Sequence, residues 1–435
     1  MYILSLMCGI VGIYNFDKKD VKGDLIQMMM KLQHRGKDSF GISYNKKGGS
    51  ILSFKKKGMV EGELDIDMKD IISCVGHLKY RTSNMNQTRE DDIQPIVNKK
   101  ISLSHNGNIP NVDGFDTQHI LDVILGYNGT IKNALINLIK TIPAAYSLVI
   151  QYEDKIYLLK DRYGIRPLSY GFKGNNTYIS SETVGLQYCN NIVEVESGQI
   201  IEIDKKGIRE LYKHPDTCDN ICAFEFIYFM NPNSFYKNIM IDSIRKNLSN
   251  KLAKLNCRGN KENDIVVGVP NSGIIYGEEY ARLLGLKYEQ VIMKNTDERS
   301  FISSDKKQIV KTCHKKFAFD SEKINGKNII IIDDTIVRGN VMCHICENLK
   351  ICGAGEIHIR IPSPPVVDIC QLGIPINNKS ELLMNNRTLH EVSKILKCDT
   401  IQFLNKEDLN DIPFQVYMEC FGGGIKEEIT SYLKK

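Results

Sequence analysis

Two consecutive carboxylates, Asp333 and Asp334, follow the aliphatic run Ile329-Ile-Ile-Ile332 and precede the turn Thr335-Ile-Val-Arg-Gly339. Four aliphatics in a row read as a strand buried on both faces, as in the centre of a parallel sheet. In open α/β sheets ligands sit beyond the carboxyl ends of the strands, so the two acids arrive at a site and Arg338-Gly339 leads into a helix starting near Asn340. The free amides of a helix start suit a phosphate, and paired carboxylates suit sugar hydroxyls or a magnesium ion. A phosphorylated sugar satisfies both. Packing alone gives no reason for two adjacent acids after four aliphatics.

Those acids need a sheet to carry them, and the sequence supplies its neighbours. Asp264-Ile-Val-Val-Gly-Val-Pro-Asn-Ser-Gly273 is a second buried strand that runs into a tight turn, helical spacing runs from Asp242 to Lys254, and a further strand covers Glu356 to Ile361. Towards the amino terminus the pattern changes to short strands broken by turns, including Cys8-Gly-Ile-Val-Gly-Ile-Tyr14 and Tyr146-Ser-Leu-Val-Ile150. Cys8 alone reads as a small core residue, and Asn106-Gly107 alone reads equally well as a hairpin turn. The polar stretch from His214 to Asn220 separates the two patterns, which places a domain boundary between residues 8–220 and 221–435.

The chain has 435 residues, enough for two domains with cores of their own. Its 57 basic and 52 acidic residues leave a net charge of +5, too balanced to imply nucleic-acid binding and no obstacle to an anionic substrate. Thirteen cysteines are scattered without paired spacing, which favours reduced thiols over a disulfide framework, and they form no metal knuckle. The apolar start, Met1 to Tyr14, lacks the basic residues and cleavage site of a leader, and no run approaches the roughly 20 apolar residues of a membrane helix. The expected location is the cytoplasm.

The stretch Asn328 to Asn340 resembles the phosphoribosyl pyrophosphate (PRPP) fingerprint of the type I phosphoribosyltransferases. Leu32-Gln-His-Arg-Gly-Lys-Asp-Ser-Phe-Gly-Ile42, Gly76-His-Leu-Lys-Tyr-Arg-Thr82, Gln94-Pro95 and Ser104-His-Asn-Gly-Asn108 follow in an order that resembles the glutaminase domain of the glutamine PRPP amidotransferases. The resemblance runs from Cys8 to about Gly422. It implies an N-terminal-nucleophile (Ntn) αββα sandwich, of class α+β, followed by an α/β parallel sheet of the phosphoribosyltransferase type. The implied activity is release of ammonia from glutamine and its transfer to PRPP, giving 5-phosphoribosylamine, the first committed step of purine biosynthesis. A homo-oligomer, dimer or tetramer, is the expected state.

The resemblance also implies roles. Cys8 becomes the nucleophile, activated by its own α-amine once Met1 to Met7 are gone, whether as a propeptide or because translation starts at Met7. Asn106 and the amide of Gly107 form the oxyanion hole, a task that suits a side-chain amide beside an unhindered backbone donor. Glutamine is held by Asp116 at its α-amine and by Lys79 at its α-carboxylate, with Arg35 or Arg81 as further cations. The family has arginine at the position of Lys79, and lysine loses the planar two-point grip. The segment Asn111 to Asp116 is shorter than its family counterpart. Glu182 fits either a buried backbone partner or a substrate contact.

PRPP falls to the turn Asn271, Ser272 and Gly273, whose amides suit the pyrophosphate, to Arg299 and Lys316 of a closing loop, and to Asp333, Asp334, Arg338, Gly339 and Asn340. Magnesium reaches Asp333 and Asp334 with the substrate. The departures cluster here: Asn271 replaces an aspartate, Ile309 an arginine, and Asn340-Val341 two threonines that would bind the 5′-phosphate. Two other readings follow from them, a paralogue with a changed acceptor and a non-catalytic sensor of PRPP or nucleotides; retained Cys8, Asn106, Asp333 and Asp334 speak against the sensor. Some relatives carry an iron–sulfur cluster on four cysteines. Cys222 and Cys370 match two of those positions, Phe414 and Tyr417 stand at the other pair, and only Cys420 is nearby, which argues against a cubane.

Overall fold

The computed structural model describes residues 7–46, 50–80, 90–112, 114–255, 262–294, 317–372, 376, 378–424, 429 and 431. Its first half is two antiparallel sheets face to face. One is seven-stranded, in the order Asn190–Glu194, Ser169–Lys173, Asn176–Ser180, Gly9–Tyr14, Ile71–Lys79, Ser39–Lys46, Ile51–Lys57. The other is six-stranded, in the order Gly207–Lys213, Gln199–Asp204, Lys155–Lys160, Ala145–Tyr152, Ile101–Asn108, Ile96–Asn98. Because strand residues alternate between faces, each sheet offers one apolar face to its partner: Ile10, Val75 and Ile179 meet Val149, Leu158 and Ile201 between the layers.

The outer faces are covered by helices. Lys22–Lys31 lays Leu25, Met28 and Met29 on the first sheet. Ile131–Thr141 starts where the Thr130 hydroxyl accepts from the Asn133 amide, and buries Ala134, Leu135, Leu138 and Ile139, one stripe of a 3.6-residue period. With Asp116–Gly126 it closes the second sheet, and the αββα sandwich is complete.

The second half is built on a five-stranded sheet in the order Lys287–Tyr288, Asp264–Gly268, Asn328–Ile332, Ile357–Ile361, Thr400–Phe403, with every pairing parallel. The isoleucine run is its central strand. Ile330 and Ile332 face one core with Tyr276, Leu248 and Leu252; Ile329 and Ile331 face another with Ile345 and Leu349. A strand covered on both sides needs apolar residues at every position, and each contributes on the order of 1.5–3 kcal/mol by burial. Helices Ile241–Leu255 and Asn340–Ile351 fall where helical spacing and the glycine turn place them. Among the described residues no helix is long and apolar enough to cross a membrane.

The two halves share a core. Ala145, Tyr163 and Ile165 of the sandwich pack with Phe224, Phe226 and Tyr236, and Met7 is buried among them.

Candidate functional site

Cys8 stands just before the strand Gly9–Tyr14 in the interior of the first sheet, and Asn106 lies near the carboxyl end of Ile101–Asn108 in the second. The sandwich brings them together: the backbone N–H of Cys8 donates to Asn106 Oδ1 at 3.2 Å. Asn106 is fully buried, yet its Nδ2 has no partner. Native interiors satisfy most buried donors, so this amide is free to receive a partner beside Cys8. Asn106 and Gly107 are strand residues, not a hairpin turn.

Gly107 lies opposite Tyr146, whose amide donates to Asp161 Oδ2 at 3.0 Å and whose carbonyl accepts from the Asp161 amide at 2.9 Å. Tyr146 thus spends both groups on the far side, and Gly107 turns its N–H to the other edge of its strand. Two residues earlier on that edge, the His105 N–H is taken by Gln94 Oε1 at 2.6 Å. A Cβ at position 107 would stand 2.0 Å from the Ala145 carbonyl oxygen and 2.6 Å from His105 Nε2, so only glycine fits. Side-chain amide and backbone amide are then adjacent donors beside the thiol, the layout an oxyanion requires.

Burial pushes the Cys8 thiol up to about 11, against the opposing charge of Lys79 and a hydrogen bond to the Tyr80 backbone. Such a thiol needs a base at its side to react near neutrality. Lys79 is buried, its Nζ donating to the Asp92 carbonyl at 2.8 Å and lying 4.8 Å from the centre of the Phe115 ring. Burial lowers its pKa, while Cys8, Asp92 and Asp116 pull the other way. Asp116 opens the helix Asp116–Gly126, with Oδ2 3.6 Å from His105 Nδ1. Burial would raise its pKa, but the neighbouring imidazole prevails and holds it below the ordinary range. Lys79 and Asp116 are both near enough to act on the thiol electrostatically, so the fold brings them into the neighbourhood of Cys8, Asn106 and Gly107 despite the short segment before Asp116.

Arg35 corrects the sequence reading. Its guanidinium is wholly buried and committed: Nε donates to the Cys8 carbonyl at 3.0 Å, and its terminal nitrogens bind Glu182 and Glu225. It cannot turn to a glutamine carboxylate without stranding two buried acids. Glu182 is likewise structural, receiving the Asn231 amide at 2.7 Å and the Ser234 hydroxyl at 2.8 Å. Arg81 lies outside the described residues.

At the other site, Asp333 and Asp334 leave the carboxyl end of the central strand. The Asp334 amide donates to Asp333 Oδ1 at 3.0 Å. Asp334 is buried, and burial raises its pKa against hydrogen bonds from Ser272 and Asp333. Burial disfavours its charged form although Arg245 acts the other way, and a cation arriving with substrate would favour it. The turn before the helix Ser272–Leu284 closes on this pair: a Cβ on Gly273 would lie 2.3 Å from the Ile332 carbonyl oxygen. Asn271 is exposed beside it.

Gly339, at φ +81°, turns the chain into the helix Asn340–Ile351, whose start has no side-chain cap. Asn340 and Val341 at its start are exposed. Arg338 is paired with Glu381, an exposed contact that a phosphate could displace. Arg299, Lys316 and Ile309 lie outside the described residues.

Two residues were missed from sequence. The Thr335 hydroxyl, next to the acids, is buried with no partner; its signal was a hydroxyl directly after paired carboxylates. Glu225 is the other, and a lone carboxylate inside Cys222-Ala-Phe-Glu-Phe-Ile-Tyr-Phe229 had to be paired if the run was buried.

Cys222, Cys370 and Cys420 come together. Burial pushes Cys222 up to about 12 and Cys420 well above the thiol range, with Cys370 acting on both. Tyr417 lies among them with its hydroxyl on Glu419, a neutral phenol where a cubane needs a fourth thiolate. Phe414 packs against Phe226 and Tyr236 instead. Among the described residues no three metal-ligating side chains are arranged to hold a metal ion, and with a phenol at the fourth position these residues do not fit an iron–sulfur cluster.

The phosphoribosyl transferase domain family matches residues 235–362. A curated amidophosphoribosyltransferase from Rattus norvegicus is 32% identical, over 92% of this chain and 88% of its own. One from Methanothermobacter thermautotrophicus is 29% identical, over 95% of this chain and 91% of its own. The solved glutamine PRPP amidotransferase of B. subtilis, complexed with ADP and GMP, superposes with a TM-score of 0.83 at 28% identity, covering 96% of this chain and 97% of that one.

Proposed function

The chain belongs to the amidophosphoribosyltransferase family, and on that premise we propose how its two halves, divided at residues 220 and 221, share the work. The activity is that of the family: a glutamine amidotransferase that makes 5-phosphoribosylamine from glutamine and PRPP. The readings as a paralogue with a changed acceptor or as a sensor are not favoured.

In the first half the Cys8 thiol attacks the glutamine carboxamide carbon. Its proton passes to the α-amine of Cys8, freed by removal of Met1 to Met7, and then to the departing ammonia. Asn106 Nδ2 and the Gly107 amide take the charge on the carboxamide oxygen, in the tetrahedral state before and after the thioester. Water then releases glutamate. Lys79 and Asp116 hold the α-carboxylate and α-amine. The observation that carries this reading is the grip of Asn106 Oδ1 on the Cys8 nitrogen with Nδ2 left unpaired.

In the second half Asp333 and Asp334 hold the ribose hydroxyls, the amides from Arg338 to Asn340 the 5′-phosphate, and Asn271, Ser272 and Gly273 the pyrophosphate. Arg299 and Lys316 would cover it. Ammonia adds to the anomeric carbon and pyrophosphate leaves. Magnesium, which suits the adjacent oxygen ligands of Asp333 and the buried Asp334, would travel with PRPP and neutralise the pyrophosphate. The apolar core common to both halves supports a dry passage, since ammonia protonates in water to a species that is no nucleophile. The reading keeps the expectation of a cytoplasmic homo-oligomer.

The test is glutamine-dependent pyrophosphate release with PRPP, beside glutamate release without it. Cys8→Ala is expected to abolish both while ammonia-dependent synthesis survives. The intact mass of the active protein should begin at Cys8. Active protein that retains Met7, or glutaminase that survives Cys8→Ala, would remove the reading.

A further inference from the structure

We propose that Glu225, from the second half of the chain, is a positioning residue for the glutaminase: through Arg35 it fixes the backbone of Cys8. The inference rests on Cys8 being the glutaminase nucleophile.

Arg35 carries the link. Its Nε–H donates to the Cys8 carbonyl at 3.0 Å, while its two terminal nitrogens reach Glu225 Oε2 at 3.1 Å and Oε1 at 3.2 Å. Glu225 is also bound by Arg166 at 3.3 Å, and Glu182 closes the group from the other side of Arg35. All four side chains have no exposed surface. Two guanidiniums and two carboxylates balance in charge, and a bidentate pair in a dry site has one geometry.

Cys8 is thereby held at both its backbone nitrogen and its carbonyl. Its carbonyl is fixed by Arg35 and its nitrogen by Asn106, which leaves χ1 to aim the sulfur. Glu225 is itself placed by the second half. The helical turn Glu225–Phe229 that it opens is pinned by Arg245, which donates to the Phe226 and Met230 carbonyls at 2.8 Å each, and by the Tyr276 hydroxyl on the Ile227 carbonyl at 2.9 Å. A nucleophile in one domain is thus registered against a turn in the other.

Glu225→Gln keeps the volume and removes the charge. In the full-length protein it is expected to retain ammonia-dependent synthesis and lose on the order of 10- to 100-fold in kcat for glutamine hydrolysis, the cost of misplacing a reacting group by about an ångström. KM for glutamine should stay within about twofold, since Lys79 and Asp116 are untouched. Arg35→Lys is the second variant: it keeps a positive charge but cannot span the Cys8 carbonyl and both carboxylates, so the same split is expected. Unchanged kcat in either folded variant overturns the proposal. So does equal loss of glutaminase and ammonia-dependent synthesis in both, which would make the quartet a brace and nothing more. A parent without glutaminase would remove the nucleophile reading itself, a result distinct from either.

Discussion

At the Cys8 site the groups that would meet substrate are side chains locked by buried neighbours, whereas at the Asp333–Asp334 site they are strand-end acids and uncapped backbone amides. Asn106 is held through its oxygen, and Lys79 is braced by a carbonyl and a ring. The amides from Gly339 to Val341 need only the turn that Gly339 makes. A side-chain donor is lost with one substitution, but a backbone amide survives most of them. Of the departures the resemblance implies, Asn271, Asn340 and Val341 fall where the main chain still offers an anion site, and Lys79 falls among the locked side chains.

The largest effect should come from adding side chains where the main chain now works alone. Asn340→Thr with Val341→Thr places two hydroxyls at the first turn of the helix. Each hydrogen bond to a charged group contributes about 1.5–3 kcal/mol, so with both hydroxyls PRPP should bind tighter by roughly two to four decades. Calorimetry with magnesium present reads it, and Asp333→Asn should act in the opposite direction. A gain of less than threefold would mean that the amides and the unpaired Thr335 hydroxyl already saturate the phosphate, which sharpens the contrast. No binding by parent or variant would break it, because the site would then serve another guest.

The converse experiment removes a side-chain donor from the locked site. Asn106→Ala should lower kcat for glutamine hydrolysis by about 10²- to 10³-fold with little change in KM, since the donor acts on charge that develops in the transition state. The loss should lie toward the upper end because the same side chain also holds the Cys8 nitrogen. A loss under tenfold would assign the oxyanion to other groups.

What could be read from sequence follows the same division. The isoleucine run and its paired acids announced a buried parallel strand delivering charge, because a strand covered on both faces needs aliphatics at every position and packing gives no reason for two carboxylates at its end. Sheet order, the Asn106 contact and the shared core depend on pairings between residues some hundred positions apart, and no local pattern encodes them. Arg35 shows the limit most clearly. The resemblance offered it as a further cation for glutamine, but Glu182 and Glu225, which decide its role, lie 147 and 190 residues away.

Lys79 gives the smallest and most discriminating test. Its ammonium is already partly spent on the Asp92 carbonyl, so a glutamine carboxylate receives one contact from a group whose charge burial disfavours. Arginine stays charged under the same burial and brings five donors in a planar fork, enough to keep Asp92 and still grip a carboxylate at two points. Lys79→Arg should therefore lower KM for glutamine by roughly three- to tenfold, about one net hydrogen bond, with kcat unchanged. Lys79 is buried against the Asp92 carbonyl and the Phe115 ring, and strain from the larger head would appear as a lower melting temperature. A stable variant whose KM does not fall would assign the α-carboxylate to another cation. The locked site would then tolerate a departure as readily as the backbone site does.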